Sequence, residues 1–483
     1  MKSARTVAVF AALAIGPLYF TLAGSFAGPE GSTHQLTYDT YGYFYPNILH
    51  ASRSFLEGAG LFWNPYQNCG QPFFAFSLTG LLYPVNFVFF VLERDSALLA
   101  SAAMNLVLGG LGTWLLLREY RLSVPASLCG ALAFQLSAPV LELGSWSPMH
   151  SGAIVWMPWA MFCLERILRR PSIHHGIALA VVLAVQTLPG FPQIPLFTLQ
   201  LMALRLVWAV LGGQVPEWRQ LTVPLLIGFG SVPFLVAAQY LPALEVAAES
   251  VRASGVDPGS VTLEGFPVGY FPGVLAAMLA AAGWVMRRNR ALIAFYLVAA
   301  VIFLLLSRGP DNFLFELYAD MPLGDLFIRR PKRFLWVSNF AFAVLVAFGV
   351  DSLRDASESW RLKLTSLAAM LGCLIALNAV MPSGLATSAW LIGGLALAVV
   401  AYGHSLLPGR TLTPWLIIVG LGVTSLWATS ILVPREPDLY DRHAGLLEPL
   451  SHRLTAQDRV FLSARSLDFP FIEKLSSIYA IPG

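Results

Sequence analysis

A series of apolar stretches constrains this chain more than any other feature, because each is long enough to cross a bilayer as a helix. A spanning helix needs roughly 20 predominantly apolar residues. Such stretches begin near Val7, Ser96, Val124, Gly152, Ile177, Ile194, Leu221, Val268, Ala291, Phe334, Leu364, Ser388 and Leu412. The pattern predicts an all-α polytopic membrane protein with a bundle of about 13 transmembrane helices.

The composition indicates the same class of protein. Hydrophobic residues make up 57% of the 483-residue chain and charged residues 12%, whereas a soluble globular protein carries about 25% charged residues. The net charge of +3 does not indicate nucleic-acid binding, because the positive residues lie in short clusters between apolar stretches. The first stretch, Val7 to about Gly28, exceeds the roughly 7–15 apolar residues of a signal peptide, so we expect a retained membrane anchor.

The distribution of arginine and lysine predicts the orientation of the chain, because cytoplasmic loops are enriched in both. With a cytoplasmic N-terminus, every second connection is basic. These connections hold Arg118 and Arg121, Arg166 to Arg170, Arg219, Arg287 to Arg290, Arg354 to Lys363, and Arg410. The shorter run Leu78 to Leu92 contains Pro84 and is interpreted as interfacial or re-entrant, since counting it as a span would reverse every later connection.

This topology predicts a transmembrane domain over residues 1–433, with a large extracytoplasmic loop over residues 29–95, called loop 1 below. An odd number of spans places the polar tail, residues 434–483, on the extracytoplasmic side of a bacterial cytoplasmic (inner) membrane. Because about 50 residues rarely form a stable core alone, the tail either packs on the membrane part or begins a truncated domain.

A basic cluster stands on the predicted outer face, where lysine and arginine should be scarce. It consists of Arg329, Arg330, Lys332 and Arg333, directly before a span. Arginine makes bidentate contacts to phosphate and lysine provides a point charge, so the cluster predicts a binding site for a lipid phosphate at head-group level. The alternative is a misplaced span, which would make this loop cytoplasmic.

Two further segments interrupt the apolar pattern. In "QTLPGFPQIPLF", from Gln186 to Phe197, prolines and a glycine break a hydrophobic stretch. Irregular backbone at membrane depth is tolerated where it lines a cavity, so Gln193 is a candidate substrate ligand, although a tight turn explains the prolines almost as well. In the second segment we expect Pro242 to end a span, with Glu245 and Arg252 following as either a polar cavity lining or a solvated face.

The remaining candidate ligands lie in outer loops rich in aromatic and amide side chains. His150 follows "GSWSP" and is interpreted as a ligand or as a solvated loop histidine. Loop 1 contains "GAGLFWNPYQNCGQPFFAFSLTGLLYPVN", whose composition suits sugar or lipid-head recognition, or a loop resting on the bilayer interface. Its tentative substrate-binding residues are Tyr43, Asn47, Glu57, Trp63 and Asn64.

Taken in order, these motifs resemble the bacterial YfhO-like membrane proteins of the GT-C superfamily of glycosyltransferases. The matching segments are Asp39 with "YPN" at 45–47, "GAGLFWNPYQNCGQPFFA", "LYPVN", "LLREYRLS", "WMPW", "GFPQ", "YLPALEVAAESVRAS" and "RRPKRFLWVSNFAFAVLVAFGVDSL". The resemblance implies a GT-C-like helix bundle, a polyprenyl-phosphate monosaccharide as donor, and an acidic residue of the first outer loop as catalytic base. In this chain that residue is Asp39.

Two positions depart from the family pattern. Phe191 stands where the family often has histidine, so a ligand role of that histidine is absent here. Many GT-C enzymes carry paired acids near the first site, but the next acid after Asp39 is Glu57. No cofactor is therefore assigned, and a divalent metal stays an open alternative.

The resemblance gives the residues expected roles in an inverting sugar transfer. Asp39 would take the acceptor hydroxyl proton, and burial among neighbouring tyrosines would raise its proton affinity. Arg330, Lys332 and Arg333 would stabilise the departing phosphate, while Glu245 and Arg252 shape the acceptor side. The expected partners are the lipid-linked donor, membrane lipids, and a cell-envelope glycan, lipid or protein as acceptor, with no nucleic acid.

Three alternatives stay open. Asp39 can instead cap or order loop 1 without a catalytic role. The chain can be a transporter or flippase for lipid-linked glycans, or a non-catalytic membrane subunit. Charges within the spans would support transport, but the sequence places its charges mostly at span ends, which favours the enzyme.

Overall fold

The computed structural model describes residues 13–14, 44–66, 70–137, 140–141, 147–215, 217–248, 289–311, 313–321 and 330–353. The described chain is mainly helical. In loop 1 the elements are α1 (Tyr45–Leu56), the antiparallel strands β1 (Trp63–Asn64) and β2 (Gln71–Pro72), and two 3-10 helices, Ser77–Thr79 and Pro84–Phe90. Then follow α2 (Arg94–Glu119), α3 (Val124–Gln135), α4 (Pro148–Ile154), α5 (Met157–Arg169), α6 (Ile173–Thr187), α7 (Gln193–Leu211), α8 (Trp218–Gly230), α9 (Val232–Ala248), α10 (Arg290–Leu306), α11 (Phe313–Ala319), a 3-10 turn (Pro331–Phe334) and α12 (Leu335–Leu353).

Several of these helices are suited to the interior of a bilayer. Within the described residues, four helical stretches are long and apolar enough to cross it: Ser96–Glu119, Gln193–Leu211, Trp218–Ala248 and Pro331–Ser352. The chain is therefore an integral membrane protein. The span starts predicted near Val7, Val268, Leu364, Ser388 and Leu412 lie outside the described residues, so the total of about 13 spans stays a prediction.

The helices differ from the predicted spans in length and in continuity. The predicted spans near Val124, Ile177 and Ala291 form apolar helices of 12, 15 and 17 residues, shorter than the roughly 20 residues of a spanning helix. The stretch beginning near Gly152 forms two helices, α4 and α5, because the helix breaks at Val155 and Trp156 before Pro158. Pro242 does not end a helix, since it lies inside α9, which continues to Ala248. Proline removes one backbone donor, but a membrane helix tolerates it where neighbouring groups satisfy the carbonyl that is left.

The bundle is built around α12, which is almost wholly buried. It packs against α3 and α10, while α2 packs against α3 and α5. Gly130 permits the close approach of α3 to α12, because a Cβ atom there would lie 2.7 Å from Ala347 Cβ. At Gly176 a Cβ atom would lie 2.5 Å from the Pro224 carbonyl oxygen, so α6 and α8 are in similar contact. Small residues at such crossings are typical of membrane helices.

Loop 1 forms its own apolar core against the bundle. Phe44, Ile48, Phe73 and Phe89 are buried together with Met149 of α4. The run interpreted as non-spanning, Leu78 to Leu92, contains a 3-10 helix of seven residues. At about 2 Å per residue this helix extends about 14 Å, far short of a bilayer core of about 30 Å.

An ionic network lies buried between four helical elements of the bundle. Arg205 Nε donates to Glu165 Oε1 at 2.6 Å, and the Tyr120 hydroxyl donates to the same oxygen at 3.1 Å. The hydroxyls of Tyr120 and Tyr296 are 2.7 Å apart. These four residues are called the inner network below. Glu165 and Arg205 are 1% and 4% exposed, so the bundle holds a charged pair in its interior.

Candidate functional site

The centre of the candidate site is Arg333, which the fold brings against the "GFPQ" segment. Arg333 Nη1 donates to Gln193 Oε1 at 2.6 Å, across a separation of 140 residues. The guanidinium carbon lies 4.8 Å from the Phe191 ring centroid and 5.9 Å from the Trp336 ring. Hydrogen bonding and cation–π attraction therefore fix the same side chain.

His150 completes this group of side chains. Its ring centroid lies 3.9 Å from that of Phe191 and 5.7 Å from that of Trp336. Its Nδ1 shares a hydrogen bond with the Ser147 hydroxyl. We call His150, Phe191, Gln193, Arg333 and Trp336 the Arg333 cluster.

Prolines begin the segments that carry the cluster. Pro148 is the first residue of α4, which presents His150. Pro192 directly precedes α7, which begins at Gln193. Pro331 is the first residue of the 3-10 turn that holds Arg333. The fixed φ of proline suits the first turn of a helix, where its missing N–H is not needed, so the sequence itself sets where each segment starts.

The environment keeps His150 uncharged. Burial lowers its pKa well below the usual 6.5, and the positive charges of Arg333 and Arg330 lower it further. A neutral imidazole adds no positive charge beside the arginines and keeps one nitrogen as an acceptor. The cluster therefore combines a cationic group with an uncharged polar ring.

A network of polar side chains joins α4 to α2 and to loop 1. The Tyr83 hydroxyl donates to Asn105 Oδ1 at 2.7 Å, and Asn105 Nδ2 donates to the Ser151 hydroxyl at 3.3 Å. Trp156 Nε1 donates to the Tyr83 hydroxyl at 3.1 Å. Since Ser151 follows His150 directly, the network fixes the helix turn that presents the imidazole.

The other residues of the predicted phosphate site are Arg329, Arg330 and Lys332. Lys332 is half-buried and lies next to Arg333 in the same 3-10 turn, and Arg330 is exposed directly before that turn. Arg329 lies outside the described residues, as do the predicted base Asp39 and the tentative ligands Tyr43 and Arg252.

The remaining tentative ligands occupy loop 1 and the end of α9. Asn47 and Asn64 are buried within loop 1, and Asn64 Oδ1 accepts a hydrogen bond from the Tyr66 backbone N–H at 2.9 Å. Trp63 is 54% exposed, and Glu57 is exposed at the C-terminal end of α1. Glu245 is exposed in the last turn of α9. Of the site residues predicted from the sequence, the structure therefore brings His150, Gln193 and Arg333 together.

Sequence reasoning missed the two aromatic members of the cluster. Phe191 was treated as the loss of a histidine, whereas its ring contacts both Arg333 and His150. Trp336 follows the basic cluster by three positions, and an aromatic residue at that spacing could have indicated a cation–π pair. In the described part of the chain no group of three or more His, Cys, Asp or Glu side chains is arranged to hold a metal ion.

Comparison with solved structures identifies the class of fold: the neighbours are membrane-embedded GT-C glycosyltransferases. The arabinofuranosyltransferase AftD from mycobacteria superposes with a TM-score of 0.53 at 14% identity, over 90% of this chain and 28% of AftD. ArnT from Cupriavidus metallidurans superposes with a TM-score of 0.51 in its apo state, at 16% identity over 100% of this chain and 86% of ArnT. The chain thus spans little more than a quarter of AftD but most of ArnT.

A second ArnT structure, bound to undecaprenyl phosphate, gives the same TM-score of 0.51 at 17% identity, over 99% of this chain and 85% of ArnT. No protein-family model and no curated protein matches the sequence. At these identities the comparison establishes a GT-C-like fold, and activity has to be argued from the site.

Proposed function

We propose that this protein is a glycosyltransferase of the YfhO-like family. It moves a hexosyl or pentosyl group from a polyprenyl-phosphate donor to a cell-envelope acceptor on the extracytoplasmic face of the membrane. The observation that carries the proposal is Arg333, which lies against the Phe191 and Trp336 rings and donates a hydrogen bond to Gln193 at 2.6 Å. The fold it shares with ArnT, which has been solved with undecaprenyl phosphate, supports a lipid-linked donor.

The cluster suits the leaving group of such a transfer. Arginine presents five N–H donors in a planar fork that matches phosphate oxygens. Gln193 and the two rings orient the fork before substrate arrives, and preorganised positive charge stabilises the negative charge that develops on the departing phosphate. Lys332 adds positive charge in the same turn, and Arg330 adds it directly before that turn.

Asp39 is proposed as the base that accepts the proton of the attacking hydroxyl. Phe44 follows it by five residues and is buried in the same apolar cluster as Met149, the neighbour of His150. An extended chain covers at most about 18 Å over five residues, so Asp39 lies within about 18 Å of Phe44. In this arrangement neutral His150 supplies a hydrogen bond to the sugar or phosphate.

Transport of a lipid-linked glycan is the second candidate, and one observation favours it. Arg205 and Glu165 form a buried ion pair at 2.6 Å within the bundle, and buried charges in membrane proteins often line transport paths. Both residues, however, are packed among helices and bonded to each other and to Tyr120. This arrangement also suits a fixed structural contact.

Sugar transfer from a labelled polyprenyl-phosphate sugar tests the proposal. The assay uses membranes containing wild-type protein, Asp39→Asn, Arg333→Ala or Arg219→Ala. We expect transfer by the wild type, loss of about a hundredfold or more in the first two variants, and no change in the third. Arg219 is a matched control because it is exposed and stacks on Trp218, 5.7 Å from the ring centroid.

Two results would contradict the proposal. Full activity in Asp39→Asn, with the protein inserted and folded, would remove the assigned base. Donor binding without turnover in the wild type would favour transport or a non-catalytic subunit.

A further inference from the structure

The Gln239 side chain joins loop 1 to the turn that leads into the Arg333 cluster, residues 187–190. Gln239 of α9 donates from Nε2 to the Ser77 carbonyl at 3.0 Å and from the same nitrogen to the Leu188 carbonyl at 3.4 Å. Only 2% of Gln239 is exposed. An amide NH2 group has two hydrogens, so one glutamine can bind both carbonyls at once.

Two neighbouring hydrogen bonds hold the same turn. The Tyr240 hydroxyl donates to the Thr187 carbonyl at 2.9 Å, and the Ser77 hydroxyl donates to the Gly190 carbonyl at 3.5 Å. Three carbonyls of the 187–190 turn are therefore bound by side chains from α9 and loop 1. A turn tied at this many points has little freedom to shift without breaking contacts in both neighbours.

Packing at Gly190 shows how close loop 1 and the turn are. A Cβ atom at this position would lie 1.7 Å from the Ser77 carbonyl oxygen, and the φ of Gly190 is +91°. Glycine alone fits both the backbone conformation and this contact. The next residue is Phe191, so any change in the spacing between loop 1 and the turn displaces the ring that contacts Arg333.

We propose that Gln239 is a positioning residue: by joining loop 1 to the 187–190 turn, it sets where Phe191 and Gln193 hold Arg333 for the donor phosphate. This inference rests on the proposed function. Gln239 acts through backbone carbonyls and does not itself touch the substrate. Its removal therefore weakens donor binding at Arg333 and leaves the charge of the site unchanged.

The test compares Gln239→Met with Gln135→Met in the full-length protein. Both changes nearly keep the length of a buried glutamine side chain, remove its N–H donors and add no charge. Gln135 is the matched control because its Nε2 also joins two segments, donating to the Leu13 carbonyl at 2.8 Å, and neither segment belongs to the Arg333 cluster. The readouts are the Kd for a polyprenyl monophosphate in detergent micelles, the thermal midpoint, and the KM and kcat of transfer.

We expect Gln239→Met to raise the Kd and the KM about tenfold or more, the loss that corresponds to misplacing one charge-assisted contact. Its kcat at saturating donor should fall much less. Gln135→Met should lower the thermal midpoint about as much as Gln239→Met does, with a Kd within about twofold of the wild type. If Gln239→Met does not fold, Tyr240→Phe is the deciding variant, with an expected rise in Kd of about threefold through loss of one hydrogen bond to the turn.

The outcomes separate this inference from the proposed function. If Arg333→Ala raises the Kd but a folded Gln239→Met leaves it unchanged, the inference alone is overturned. An equal rise in Kd in Gln135→Met would also overturn it, since the effect would then be a general loss of packing. A wild type that does not bind the phosphate, or an Arg333→Ala variant that binds it normally, would overturn the proposed function and the inference with it.

Discussion

At the scale of single residues, Arg333 is held by one polar and two aromatic neighbours. Gln193 fixes one nitrogen by a hydrogen bond, and the Phe191 and Trp336 ring centroids lie 4.8 Å and 5.9 Å from the guanidinium carbon. Arginine keeps its charge throughout the accessible pH range, while His150 is kept neutral by burial beside it. The site therefore presents a constant positive charge at a fixed place.

Replacing Phe191 tests the aromatic part of this arrangement. Phe191→Leu retains an apolar side chain but removes the ring, and a cation–π contact contributes about 0.5–2 kcal/mol. We expect the KM for the lipid-linked donor to rise about 2-fold to 30-fold, measured by transfer in membranes. Phe162→Leu is the matched control, because Phe162 stacks on Arg166, 5.7 Å from its ring centroid, outside the cluster. An unchanged KM in Phe191→Leu would show that the ring does not position Arg333.

Protonation of two buried histidines should make stability depend on pH. Burial lowers the pKa of His50 and of His150 below the usual 6.5. The unfolded chain then binds these protons more readily than the folded chain, so stability is present above about pH 6.5 and is lost as the pH falls. We expect the thermal midpoint in detergent to drop between about pH 7 and pH 5, and the drop to shrink in His50→Phe and His150→Phe. An equal drop in the double variant would contradict this account.

At the scale of elements, local chemistry accounts for where several segments begin better than for how they continue. Pro148, Pro192 and Pro331 mark segment starts that the chain chemistry fixes locally. The break between α4 and α5, and the continuation of α9 past Pro242, depend on neighbouring helices that no local pattern reveals. Hydropathy shows that a stretch is apolar, but it does not show where packing against neighbouring helices interrupts the helix.

The inner network is the element-scale feature that most clearly needs long-range information. Glu165 and Arg205 are 40 residues apart in the chain, and the sequence pattern identified neither of them. Only the packing of α5 against α7 shows that they form a pair with Tyr120. Buried ion pairs of this kind often specify one arrangement of helices more than they add stability.

Removing one partner of this ion pair should destabilise the protein more than replacing both partners. Arg205→Met leaves Glu165 buried without its cation, which costs about 3–5 kcal/mol, whereas replacing both partners by apolar residues is often neutral or stabilising. We expect Arg205→Met to lower stability by that amount and Glu165→Leu with Arg205→Met to recover most of it, measured by denaturant unfolding in micelles. Both proteins should keep donor binding in proportion to the folded fraction. A double variant less stable than the single one would contradict this interpretation.

At the scale of the whole molecule, composition and the periodic apolar stretches were sufficient to predict a polytopic helical membrane protein, and the GT-C-like fold agrees with that expectation. His150, Gln193 and Arg333 were each identified from local chemistry. Their assembly at one site depended on bringing α4, α7 and the turn before α12 together, which no single segment determines. The number of spans, the orientation and the role of Asp39 stay predictions.

The most direct test of the central claim is a structure of the protein with a bound polyprenyl-phosphate analogue, determined by cryo-electron microscopy. The account predicts phosphate oxygens within hydrogen-bonding distance, about 2.7–3.2 Å, of the Arg333 guanidinium, with Asp39 on the side of the sugar. A phosphate bound elsewhere in the bundle, with the Arg333 cluster unaltered and unoccupied, would contradict it.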